Sequence, residues 1–124
     1  MAYIASVDVT VTTAGGAGVA TGTTDSVSIS GFLLDVYLNY HTSAPATTDV
    51  TISYATPAGG NILVVTDVNT DVLKTPRVKP VDNAGTAITN AHDRFPLNGT
   101  LTVAVAGCDA LTGALVATIR YMCL

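Results

Sequence analysis

Tyr3-Ile4-Ala5-Ser6-Val7-Asp8-Val9-Thr10-Val11-Thr12 alternates with a period of two. Tyr3, Ala5, Val7, Val9 and Val11 fall on one side, and Ser6, Asp8, Thr10 and Thr12 on the other. That period is the signature of a strand with one face buried and one face wet. Outward from this stretch the same signal recurs in short pieces broken by turn residues. Ala14-Gly15-Gly16-Ala17-Gly18 reads as a loop, since it lacks phosphate-loop spacing and no helical pattern follows. Ser26–Ser30 places Val27 and Ile29 on one face. Gly31 marks a bulge or bend. Beyond it Phe32, Leu34, Val36, Leu38 and Tyr40 share a side, opposite Leu33, Asp35, Tyr37 and Asn39. His41–Thr48 is a loop around Pro45. Val50–Tyr54 alternates again, Pro57-Ala58-Gly59-Gly60 turns the chain into Ile62–Thr66, and the run Ile62-Leu63-Val64-Val65 is apolar on both faces, as a central strand is.

From Asp67 to Asn98 the pattern loosens. Pro76 and Pro80 cannot donate to a ladder, so Asp71–Val81 is at best an edge strand. Asn83–Asn90 reads as a loop with a short strand at most. Thr100–Ala106 and Ala114–Met122 close the chain, joined by Gly107–Gly113. They bring Leu101, Val103, Val105, Leu115, Ala117, Ile119 and Tyr121 to the core. About eight strands at this spacing define an all-β, antiparallel β-sandwich, and a double sheet with mixed connection lengths is the jelly-roll layout. An immunoglobulin-like sandwich would carry a Cys…Trp…Cys pattern, which is absent.

Composition agrees. The 124 residues include no Glu, Gln or Trp, and all nine acidic residues are Asp. Glu and Gln, strong helix formers, are absent and Lys is rare, while Thr and Val, which suit a pleated surface, are abundant. The length fits one domain over residues 1–124, with extended ends at Met1–Ile4 and Tyr121–Leu124 available to a neighbour. With 48% hydrophobic and only 11% charged residues, either the surface relies on Thr, Ser and Asn for solubility or part of it is covered in an assembly, and the apolar balance favours the second. A net charge of −4 offers no basic footprint for nucleic acid. Met1–Asp8 lacks a basic signal-peptide region, and no apolar run reaches the roughly 20 residues of a membrane span. The expectation is a chain made in the cytoplasm, with Cys108 and Cys123 as reduced thiols.

Catalytic chemistry is thinly represented. There is no G-x-S-x-G elbow, neither cysteine has a nucleophile's setting, and His41 and His92 both lie in expected loops. Asp67-Val68-Asn69-Thr70-Asp71 opens like a calcium loop, but Val72 stands where the turn glycine belongs and no Glu follows. It reads as an Asx-rich turn. No zinc spacing is present, and no catalytic residue, metal or cofactor is assigned. Asn98-Gly99 reads as a hairpin turn. Lys74, Arg77 and Lys79 are three of the five basic residues, and they fall within six positions of Leu73-Lys74-Thr75-Pro76-Arg77-Val78-Lys79-Pro80. They read either as a docking patch for an acidic partner or as guards of an edge strand. Arg94 and Phe95 read either as interface anchors or as a salt bridge and a core plug.

The order of features resembles small jelly-roll proteins of bacteriophage virions. The resemblance is carried by Val7-Asp8-Val9-Thr10-Val11-Thr12, Gly31–Tyr40, Asp49-Val50-Thr51-Ile52-Ser53-Tyr54 and Gly60-Asn61-Ile62-Leu63-Val64-Val65. Pro76–Val78, Leu97-Asn98-Gly99-Thr100-Leu101-Thr102-Val103 and Val116–Tyr121 complete it. It spans most of the chain in generic β elements. It implies a head decoration or cement protein of the virion, bound to the major capsid protein or another virion protein. The same resemblance implies a homo-oligomer, a trimer before a dimer. A neck or tail component and a carbohydrate-binding sandwich module are the competing readings, the latter weakened by the lack of Trp. A metal-binding cupin would need several His and a Glu.

Overall fold

The alternating stretch at Tyr3 becomes the first strand of an all-β sandwich. The structure, a computed structural model, describes residues 2–55 and 60–124. The turn expected at Pro57–Gly60 falls largely outside the described residues. Nine strands are described: β1 (Tyr3–Val11), β2 (Ala20–Asp25), β3 (Ile29–Tyr40), β4 (Asp49–Tyr54), β5 (Asn61–Val65), β6 (Val72–Lys74), β7 (Pro96–Gly99), β8 (Leu101–Cys108) and β9 (Leu115–Cys123). The first sheet runs β1-β9-β3-β6, with β7 also on β3, and the second runs β2-β8-β4-β5.

All strand pairs are antiparallel, and they nest. β4 pairs β5, β3 pairs β6 and β7, β2 pairs β8, and β1 pairs β9. One long ribbon folded on itself and wound into two sheets is the jelly roll. β6 lies along Val36–Leu38 and β7 along Ile29–Phe32, so these two share one strand's place.

Between the sheets the core is aliphatic. Val9, Val11, Leu33, Val36, Leu38, Leu115, Ala117 and Ile119 meet Val50, Ile52, Leu101, Val103 and Val105, all buried. Burying such side chains contributes about 1.5–3 kcal/mol each before chain entropy is counted.

Several expectations are corrected. β3 is continuous through Gly31, and its bulge lies three residues later. Leu33 faces Tyr121 and Asp35 faces Arg120 on β9, leaving Leu34 as the extra residue. An extra residue reverses the alternation. Leu33 is therefore buried, while Phe32, placed by parity with Val36, is exposed. Gly31 is needed for another reason: its φ is +129°, and a Cβ there would run into the carbonyl of Met122.

Ser26–Ser28 is not a strand. Val27 is exposed, and buried Ser26 accepts the Leu101 N–H at 3.0 Å as the chain crosses between sheets. β5 is an edge strand rather than a central one. Asn98-Gly99 does not close a hairpin, since Asn98 pairs with Ser30 in the first sheet and β8 begins in the second. Among the described residues the two ends pair with each other, Tyr3 with Cys123 and Ile4 with Met122.

Candidate functional site

Between β6 and β7 the chain leaves the edge of the first sheet for residues 75–95 and returns. Two prolines, Pro76 and Pro80, withhold donors, so this excursion is held by isolated bridges rather than a ladder. Val78 and Asp93 exchange both backbone hydrogen bonds at 2.8 Å, and Val81 bridges Ala87 further out. At the tip the Asp82 carboxylate accepts the N–H groups of Ala84 at 2.9 Å and Thr86 at 3.0 Å. Gly85 takes a φ of +84° there, so the tip is an Asx-type turn. Every residue from Val81 to Asn90 is exposed. The segment is an arm standing off the sandwich.

Its base is anchored. Pro76 is buried. Arg77 donates to the carbonyl of Leu34 at 3.0 Å and to that of Pro76 at 2.8 Å, covering the stretch of β3 that the bulge leaves between β6 and β7. Phe95 packs on the core and meets Tyr54 edge-on, with ring centroids 6.5 Å apart. Its carbonyl accepts the Leu33 N–H at 3.0 Å, and the Tyr54 hydroxyl donates to the Pro96 carbonyl at 2.7 Å. Burial pushes the Tyr54 hydroxyl pKa up. Phe95 thus packs against the core at the root of the arm.

The remaining basic residues lie together. Lys74 ends β6, and Arg77, Lys79 and Arg94 are exposed on the arm. The segments run antiparallel through the Val78–Asp93 bridge, so its neighbours come opposite one another, Arg77 with Arg94 and Lys79 with His92. Residues far apart in the chain become one patch. Residues 74–95 hold four basic and two acidic side chains, whereas the rest of the chain holds one basic and seven acidic. The remaining base, Arg120, is held by Asp35. Both arm carboxylates face backbone donors, Asp82 those of the tip and Asp93 the N–H of Arg94 at 2.8 Å. Val81 and Ile88 add exposed apolar surface beside the charges.

The chain showed the basic cluster at Lys74–Lys79 but not its union with His92 and Arg94. A signal was there. Asp82-Asn83-Ala84-Gly85 is a turn sequence between Val81 and Ala87, and would have marked a hairpin.

The other candidates have structural partners. In the Asp67–Asp71 turn, Asp67 has a φ of +55° and its N–H donates to Asp49 at 2.9 Å. Asn69 donates to the Ala44 carbonyl at 2.9 Å, and Asp71 accepts the Tyr40 N–H at 2.8 Å. His41 Nδ1 accepts the Ser43 N–H at 3.0 Å in its loop. Cys108 is buried, Cys123 is half-buried, and both are free thiols. Among the described residues no pocket opens and no group of three His, Cys, Asp or Glu side chains converges. Among the described residues no helix is long and apolar enough to cross a membrane. Compared with known proteins, the chain matches no family model and no curated sequence.

Proposed function

We propose that this protein is a structural subunit of a virion, a decoration or cement protein that fastens to the major capsid protein or a neighbouring shell protein through the arm at residues 75–95. The observation that carries the proposal is the separation of charge: a basic arm, exposed from Val81 to Asn90 and rooted in the sandwich by Pro76 and Phe95, on an otherwise acidic domain. A basic patch with exposed Val81 and Ile88 suits an acidic, partly apolar protein surface, because charge complementarity steers docking while apolar contact adds affinity. The jelly roll supplies a rigid base, and Arg77, Phe95 and Pro76 fix the arm's root to it. The role is one of binding, not catalysis. Repetition over a shell multiplies modest joints by avidity.

The test is co-sedimentation of the purified protein with empty capsids from the same source, with copy number measured. Saturation at a number that follows the shell's symmetry supports the reading. A protein left in the supernatant at every concentration overturns it, and binding to a glycan array instead would install the carbohydrate-binding module in its place.

A further inference from the structure

A sandwich with two open sheets has four free edges, and three of them here carry a device that blocks pairing. β2 has a register break between Ala20 and Gly22. β5 has one opposite Ile52 and Ser53. β6 is three residues long, ends in Lys74 and is followed by Pro76. β1 is different. It pairs β9 in unbroken register over nine residues. It has no proline and no bulge, and its one charge, Asp8, accepts the Thr118 hydroxyl at 2.7 Å. β9 is its only ladder partner among the described residues. Beside this edge Tyr3 is 59% exposed and Ile4 63% exposed, and the row Ile4–Met122–Phe32–Pro96 continues the apolar surface across the sheet.

We propose that the edge of β1 pairs with β1 of a second copy, antiparallel about a two-fold axis, fusing the first sheets of two molecules into one. The strand is self-complementary in a way that few partners would match. Centred on Ala5, the pairing sets Tyr3 opposite Val7 of the partner and Ile4 opposite Ser6. The inward-facing Tyr3 then covers the half-buried Val7, an aromatic–β-branched pair that stabilises antiparallel sheets. Asp8 falls opposite Ala2, so no like charges meet. The two-fold differs from the trimer that the resemblance implies. The arm stands on the opposite edge of the same sheet, so a dimer holds two arms apart for bivalent attachment. The dimer and the arm's binding are separate claims that fail separately.

Multi-angle light scattering over a concentration series tests this. The wild type is expected at twice the 12.6 kDa chain mass, dissociating on dilution. Ile4 and Ser6 face outward, so Ile4→Asp/Ser6→Asp and Ile4→Lys/Ser6→Lys both keep the fold, checked by circular dichroism. Each is expected to be monomeric, and an equal mixture of the two is expected to restore the dimer. Val64→Asp, on the outward face of β5, is expected to leave the dimer intact. A wild type that is monomeric or trimeric throughout overturns the proposal. So do charged variants that still dimerise, or a dimer broken by Val64→Asp.

Discussion

Arg120 of β9 grips Asp35 of β3 at the bulge, its Nε donating to Oδ1 at 2.7 Å while its outer guanidinium nitrogen donates to Oδ2. The pair is lopsided: the Asp35 side chain is 10% exposed and that of Arg120 is 52% exposed. Asp35 is sunk into the sheet's outer face because Leu34 is extra, and the bidentate fork replaces the water it has lost.

An enclosed carboxylate without its partner is worse than no carboxylate at all. Arg120→Met is therefore expected to lower the urea midpoint more than the double variant Asp35→Asn/Arg120→Met. Equilibrium unfolding of both, beside the wild type, checks the order. Equal losses would show that Asp35 is solvated without Arg120.

Gly31 and Gly85 both have positive φ, but only Gly31 faces a backbone carbonyl where its Cβ would stand. Gly31→Ala is expected to cost about 3 kcal/mol or more, since strain and clash add. Gly85→Ala, with open space around it, is expected to cost about 1–2 kcal/mol. Denaturation midpoints decide, and similar costs for the two would remove the clash with Met122 from the account.

The Tyr40 hydroxyl is buried with no hydrogen-bond partner among the described residues. Burial, and then the charge of Asp71, push its pKa up to about 12. The unfolded chain releases this proton near pH 10. Between pH 10 and about 12 the folded state holds more protons than the unfolded one, so stability falls as pH rises, and below pH 10 the contribution is complete. Tyr40→Phe is expected to flatten that part of the profile. At pH 7 it should leave stability unchanged or raise it by up to about 1 kcal/mol, because an unmade hydrogen bond is removed. Unfolding at pH 7 and at pH 11 measures both effects. A clear loss at pH 7 would mean the hydroxyl has a partner.

Much of the sandwich was legible because alternation is local. Val9 and Val11, Val50 and Ile52, Leu101 to Val105, and Leu115 to Ile119 all face inward as their parity requires. What escaped was set by distance or by size. The β2 strand, Ala20-Thr21-Gly22-Thr23-Thr24-Asp25, turns only Ala20, Gly22 and Thr24 inward, and small residues leave no hydropathic trace. The bulge at Leu34 has no residue signature, so parity carried Phe32 to the wrong face. The run Ile62–Val65 looked central, yet strand order is a property of the whole sheet, and Val64 is exposed at an edge. The basic patch was half visible, because only the Val78–Asp93 bridge brings Arg77 and Arg94 to opposing register positions.

In the proposed function the arm is the point of attachment. Lys79 and Arg94 are its two basic residues with no hydrogen bond from their side chains among the described residues, so reversing both leaves the anchors at Arg77 and Phe95 in place. The decisive measurement is capsid co-sedimentation of Lys79→Glu/Arg94→Glu beside the wild type, with matched unfolding midpoints as the control. The variant is expected to bind at least about tenfold more weakly, and the wild-type affinity to drop with added salt. Equal binding by the two proteins at all salt concentrations would contradict attachment through the arm.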